Sequence, residues 1–229
     1  MAEELKKDYA AKAEDYFEFP RPEMLQRFPA GAKRVLDVGC GAGTFGATLK
    51  KQFGCEVWGV EPDLKSFEKI GAKLDRAYHG FFDAPAALPE KYFDAIFFND
   101  VLEHMVEPAA ALQLAKKLLA PGGQIIASIP NIRHFTTLWR LVFRGEWSYA
   151  ERGILDRTHL RFFTRSSIEE FFTANGFQIT RLEGINAYLQ TRDDDRPIWK
   201  YYRYVSRLPN RHFHDLRYLQ FAVVAQLQK

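Results

Sequence analysis

From Ala32 onward, two rhythms of apolar residues take turns along the chain. KRVLDV, CEVWGV, YFDAIFFND and QIIASIP are short apolar runs, rich in branched and aromatic residues. Runs of this length without alternation predict strands buried on both faces. Between them the spacing changes to that of a helix. Phe45, Leu49 and Phe53 stand four apart in TFGATLKKQFG, and Gly54 is placed to stop the helix. EPAAALQLAKKLLAPGG carries Pro108 in its first turn and Pro-Gly-Gly after its last. DLKSFEKIGAKL predicts a short helix and DRAYHG a weak strand. SSIEEFFTANGF predicts a helix with a capping box from Ser166 and Glu169 and a stop at Gly176. FQITRL and LQFAVVAQL complete the set of strands.

Strand–helix alternation of this kind predicts a doubly wound, Rossmann-like α/β fold: a mostly parallel, seven-stranded sheet with helices on both faces. Two Arg- and aromatic-rich segments break the alternation, about 131–164 and 186–216, and both read as caps inserted over the ligand crevice. The first 31 residues read as a helix followed by an extended link, FEFPRPEM, forming another part of the lid; residues 32–229 form the main domain.

The totals narrow the partners. At 229 residues, 47% hydrophobic and 27% charged, the chain has room for one substantial core and is not of disordered composition. Its apolar runs fall well short of the ~18 residues a membrane span requires, and the charged N-terminus lacks the centre of a secretory signal. A cytoplasmic location is expected. Cys40 and Cys55 show no CxxC or Cys/His spacing, so neither zinc nor a disulfide framework is expected. Residues 1–130 carry 16 basic and 19 acidic side chains, against 16 and 10 in residues 131–229, where 14 of the basic residues are arginine. That excess tilts the second half toward an anionic small-molecule group and is too modest for nucleic acid.

The chemistry gathers at VLDVGCGAGTFG, residues 35–46. A phosphate-binding loop would end in Gly-Lys-Ser/Thr, whereas here Gly43 is followed by Thr44 and Phe45. A dinucleotide fingerprint needs glycine or alanine where Thr44 stands. Asp37, inside the preceding strand, would repel a pyrophosphate and suit a cation. Glu61 ends the second strand, where a carboxylate accepts both ribose hydroxyls of an adenosine. A ribose, no phosphate and a cation together describe S-adenosylmethionine.

VLDVGCGAGTFG, VWGVEPD, FDAIFFNDVLEHM and LLAPGGQIIASIPN, in this order over about residues 33–131, resemble the motifs of class I S-adenosylmethionine-dependent methyltransferases. The stretch from Ile129 to Phe177 resembles a bacterial subgroup linked to surface-glycan and O-antigen biosynthesis. The layout also resembles a methionine-biosynthesis accessory family and, more distantly, the ubiquinone-pathway O-methyltransferases. The resemblance implies that Gly39, Gly41 and Gly43 let backbone approach the cofactor, with Asp37 holding the loop or the ammonium. It further implies Glu61 on the ribose, Asp83 on the adenine amine, Phe82 stacking or offering its amide, and Asn99 and Asp100 beneath the methyl group.

Methyl transfer needs in-line alignment, exclusion of water and, for a hydroxyl acceptor, a base. His159, His104 and His134 are the candidates, His159 slightly ahead for its polar neighbours Asp156, Arg157 and Arg161. A metal site from Glu103, His104 and His134 lacks a recognisable spacing, and no metal is expected. Arg133, Tyr149, Arg152 and Arg161 are expected to bind an anionic acceptor. The resulting expectation is methylation of a hydroxyl, or less readily an amine, on a sugar or glycan precursor. The alternatives are a small carboxylate or quinone-type acceptor, or a non-catalytic accessory protein that only binds the cofactor. The oligomeric state is open, a homodimer included.

Overall fold

A computed structural model describes residues 20–83, 88–187 and 211–228. The helix expected before residue 20 and most of the expected second cap, 188–210, lie outside the described residues. The first described element is a single helical turn, α1 (Pro22–Leu25). The alternating pattern then builds β1 (Arg34–Val38), α2 (Thr44–Phe53), β2 (Glu56–Glu61), α3 (Leu64–Glu68), β3 (Arg76–His79) and β4 (Phe93–Asn99). α4 (Pro108–Leu118), β5 (Leu119–Pro130), α5 (Phe135–Arg144), α6 (Arg165–Ala174), β6 (Phe177–Ala187), the short α7 (Arg211–His214) and β7 (Tyr218–Leu227) follow.

Seven strands form one sheet in the order β3-β2-β1-β4-β5-β7-β6. β1 to β5 are mutually parallel, and β7 runs antiparallel between β5 and β6. Successive residues of a strand face opposite sides, which divides the core in two. Leu36, Ile96 and Phe98 pack with Leu112, Ala115 and Phe172 on one face. Val35, Ala95 and Phe97 pack with Phe45, Leu49 and Val224 on the other. Strand order reverses between β1 and β4, which places a crevice beyond their carboxyl ends.

Three details depart from the sequence pattern. Leu119 and Ala120, expected in the last turn of α4, instead open β5, which runs on through Pro-Gly-Gly with Leu119 paired to Phe93. Gly123 permits this close crossing, because a Cβ there would stand 2.9 Å from the carbonyl oxygens of both Ala120 and Phe93. The predicted helix over 63–74 breaks at Gly71, whose φ is +52°, into α3 and a 3₁₀ turn at Gly71–Lys73. The capping box of α6 uses Thr164 and Ser167 rather than Ser166 and Glu169. The Ser167 amide donates to the Thr164 hydroxyl at 3.2 Å, and the Thr164 amide donates to Ser167 Oγ at 2.9 Å. Two hydroxyls thus close the reciprocal pair that a glutamate usually completes.

The first cap segment leaves the end of β5 through Asn131. Its side-chain amide donates to the carbonyls of Asp215 and Tyr218, both at 2.9 Å. The segment forms α5 and then returns without regular structure to the mouth of the crevice. No helix among the described residues is long and apolar enough to cross a membrane.

Candidate active site

The crevice opens into a cavity of about 1020 Å³. Its floor is the turn after β1. Gly39, Gly41 and Gly43 have φ of +67°, +54° and +75°, values that disfavour any residue with a Cβ. At Gly39 a Cβ would also stand 2.7 Å from Val101 Cγ2. Gly39 and Gly41 line the cavity; Gly43 lies behind them as the N-cap of α2.

Two acids frame this turn. Glu61, at the end of β2, accepts from the Gly41 amide at 2.7 Å and from the Asp63 amide at 2.8 Å. Burial still raises its pKa to about 7 against the pull of these amides. Asp37 is 2% exposed, and its Oδ2 has no hydrogen-bond partner among the described residues. Burial lifts its pKa to about 7; Arg21 opposes the rise and Glu61 adds to it. A buried carboxylate oxygen without a partner is costly unless a cation or donor arrives. Asn99, at the end of β4, likewise has an amide whose oxygen and nitrogen are both buried and unpartnered among the described residues.

Asp83 lies at the cavity edge. Phe82 turns its ring inward against Phe98, centroids 5.7 Å apart, so its backbone remains as the contact it can offer, while the half-exposed Phe81 presents its ring at the rim. Asp100 adopts φ +54° and is held by three side chains. Arg21 Nη1 donates at 2.7 Å, Ser128 Oγ at 2.7 Å and Gln220 Nε2 at 2.6 Å. Arg21 and Gln220 are cavity residues that sequence reasoning missed. Their contacts with Asp100 join positions 79 and 120 apart in the chain, and no local pattern announces them.

The cavity is also lined by Glu103, His104 and His159. Glu103 and His104 sit in a 3₁₀ turn, Leu102–His104, that follows β4. The first cap segment brings His159 back against them, with its ring centroid 4.6 Å from that of His104 at an interplanar angle of 70°. His159 Nε2 stands 3.9 Å from Glu103 Oε1. Burial, with the charge of Asp100 next, pushes the Glu103 carboxyl well above the usual carboxylate range. Burial and then His159 lower His104 to about 4. Arg152, Gly153 and Ile154 complete this wall.

Besides Gly43, four of the residues expected at the site lie outside the cavity wall. His134 is the N-cap residue of α5, with Nδ1 2.8 Å from the Thr136 hydroxyl. Arg161 donates from Nη2 to the Val106 carbonyl at 2.8 Å, with its side chain against solvent. Tyr149 is half exposed, and the Arg133 amide donates to Asn131 Oδ1 at 3.0 Å in the turn before α5. Their dense spacing in sequence reflects the outer surface and anchoring of the cap. Only Arg152 of the expected acceptor-binding set faces the cavity.

A sequence profile described as a methyltransferase domain matches residues 1–182. The chain belongs to this family. A trans-aconitate 2-methyltransferase of Methylobacterium radiotolerans is 34% identical over 114 residues, 49% of this chain and 44% of that protein. A ubiquinone biosynthesis O-methyltransferase of Xylella fastidiosa is 34% identical over 113 residues, 46% of this chain and 45% of that protein. The chain thus spans less than half the length of these relatives. Among solved structures, a SAM-dependent methyltransferase from Archaeoglobus fulgidus superposes with a TM-score of 0.64 at 20% identity, covering 93% of this chain and 96% of that one. This likeness concerns the fold alone.

S-adenosylmethionine is the methyl donor implied by the methyltransferase family and the sequence motifs, and the lining at the glycine turn fits it. Gly39 and Gly41 leave backbone bare where a ligand must approach. Glu61 presents a carboxylate at the end of β2, and Asp37 holds an uncompensated buried oxygen suited to a positively charged group. Asn99 adds an amide with both atoms still to be satisfied.

Proposed function

We propose that this methyltransferase transfers a methyl group from S-adenosylmethionine to an oxygen of a small acid or quinone-type acceptor. Bound at the glycine turn, the cofactor supplies an electrophilic methyl on a sulfonium. Glu61 is the residue to receive ribose hydroxyls, giving up its bonds to the Gly41 and Asp63 amides in part or whole. Asp37 provides the negative charge opposite an ammonium, and the Asn99 amide offers both a donor and an acceptor. Phe82 offers its backbone and Asp83 its carboxylate at the adenine end.

One observation carries this reading: a single cavity is lined both by the glycine turn and by the polar group Glu103, His104, His159 and Arg152. Its volume, about 1020 Å³, is at the upper limit of ordinary ligand pockets, roughly 300–1,000 Å³, and leaves space for an acceptor beside the donor. Arg152 suits a carboxylate. The imidazole Nε2 atoms are suited to hold, or take a proton from, an acceptor hydroxyl. The sugar or glycan acceptor loses its support from the arginine-rich segment, because Arg133, Tyr149 and Arg161 stand outside the cavity. The relatives named above, an aconitate methyltransferase and a ubiquinone-pathway O-methyltransferase, support a small carboxylate or quinone-type acceptor instead.

Calorimetric titration with S-adenosylhomocysteine, NADH as control, tests the donor end for the parent chain and Glu61→Ala. The expected result is binding of S-adenosylhomocysteine alone, weakened at least about tenfold in the variant, the loss of one or two charge-assisted hydrogen bonds. Transfer of labelled methyl from S-adenosylmethionine to panels of carboxylates, catechols and phosphorylated sugars tests the acceptor. Labelling confined to the sugars would overturn the acceptor reading.

A further inference from the structure

Glu103, His104 and His159 form a cluster whose three candidate ligand atoms all lie within 4.8 Å of one another. The residues come from two places, the turn after β4 and the returning end of the cap. The expectation of no metal considered His134 as the second imidazole; the fold instead brings in His159, 55 positions beyond His104, and buries all three side chains.

Three observations bear on what this cluster holds. His104 Nδ1 stands 3.1 Å from the Thr158 carbonyl oxygen and His159 Nδ1 stands 2.9 Å from that of Ile154. A carbonyl only accepts, so each Nδ1 carries the hydrogen and each Nε2 the lone pair. Imidazoles tethered through one nitrogen to a backbone carbonyl are oriented as metal-binding histidines are. Thr158 is itself fixed, its hydroxyl and amide donating to Asp156 Oδ1 at 2.8 and 2.9 Å. The second observation is Glu103. It is 1% exposed and lines the cavity, yet neither carboxylate oxygen has a hydrogen-bond partner among the described residues. The contact at 3.9 Å to His159 is too long to satisfy it. The third is Asp100, whose carboxylate is already taken up by Arg21, Ser128 and Gln220, leaving Glu103 as the uncommitted acid.

We propose that Glu103, His104 and His159 bind a divalent transition-type cation, such as Mn²⁺, Co²⁺ or Zn²⁺, at the acceptor end of the cavity. Two imidazoles with one carboxylate suit these ions better than Ca²⁺, which takes oxygen ligands. Metal–ligand bonds of about 2.0–2.2 Å bring ligand atoms to roughly 3–3.5 Å from one another, so the side chains close by about 1 Å. Three protein ligands leave at least one position directed to the cavity. That is the open arrangement of catalytic rather than structural sites. The site's role rests on the methyl-transfer reading: the cation holds an acceptor oxygen and favours its anionic form, the hydroxyl proton passing to solvent. His104 and His159 then act on the acceptor through the cation and do not take the proton themselves.

The test uses the full chain stripped with a chelator and titrated with Co²⁺, whose visible absorption reports nitrogen and oxygen ligation. S-adenosylhomocysteine binding and thermal unfolding are measured in parallel. One equivalent of Co²⁺ should bind the parent chain and develop visible bands. Glu103→Gln and His159→Gln should each weaken it at least about tenfold while S-adenosylhomocysteine affinity is retained. Absence of Co²⁺ binding by the parent chain, or equal binding by folded variants, overturns the site. Where one variant fails to fold, the other carries the comparison. Loss of S-adenosylhomocysteine binding with Co²⁺ binding intact would sink the donor reading and leave the cation site standing.

Discussion

Burial raises Asp37 and Glu61 each to about 7, beside a turn whose Gly41 amide donates to Glu61. An acid whose pKa is higher folded than unfolded stabilises the fold below its unfolded pKa. That contribution disappears as pH rises through the folded value. Stability of the ligand-free chain should therefore fall between the ordinary carboxylate range and about pH 7, measured by denaturant midpoints. Binding runs the other way. A ligand with an ammonium favours the ionised acids, so affinity for S-adenosylhomocysteine should rise with pH, at most about tenfold per pH unit for each acid, and level off above about 7. Proton release on binding, read by calorimetry in buffers of different ionisation enthalpy, checks the sign. Gly39→Ala puts a Cβ at φ +67° and against Val101, and should cost about 1–3 kcal/mol and most of the ligand affinity. Retained affinity in that variant would mean that the turn is not the cradle.

At the scale of elements, β1, β2, β4 and the second half of β5 were legible because continuous apolar runs have few alternatives to a buried strand, whereas the exposed β3 reads only weakly. The glycine turn was legible because three residues without a Cβ in five positions answer a backbone demand. What joins the cap to the sheet was not. Arg165, the first residue of α6, clamps the buried Asp215 by two bonds, Nε–Oδ2 at 2.8 Å and Nη2–Oδ1 at 2.9 Å, and gives a third to the Leu182 carbonyl. The partners are 50 residues apart, so spacing carries no trace of them. The same holds for His159 meeting Glu103 and for Arg21 meeting Asp100. Arg165→Ala leaves Asp215 buried without its cation and should lower stability by about 3–5 kcal/mol. Arg165→Lys should recover only part of this, since an ammonium cannot reproduce the fork. Chemical denaturation of both variants provides the measure.

The whole molecule divides its labour along the sheet. In the proposed reading, β1, β2 and β4 carry the donor site, and the turn after β4 together with the cap carries the acceptor site. The arginine excess of the second half, read from the sequence as a binding surface, resolves differently. Arg165 locks the core, Arg161 pins the cap at its outer side, and Arg152 alone of the expected acceptor-binding arginines reaches the cavity. The position of β7 has a consequence for how the chain is made. β6 precedes β7 in the chain, yet among the described residues its only partner in the sheet is β7, which also pairs with β5. Until β7 is made, β5 keeps an open apolar edge and β6 lacks this partner. Completion of the sheet therefore waits on residues 218–227, and chaperone capture should fall once they emerge.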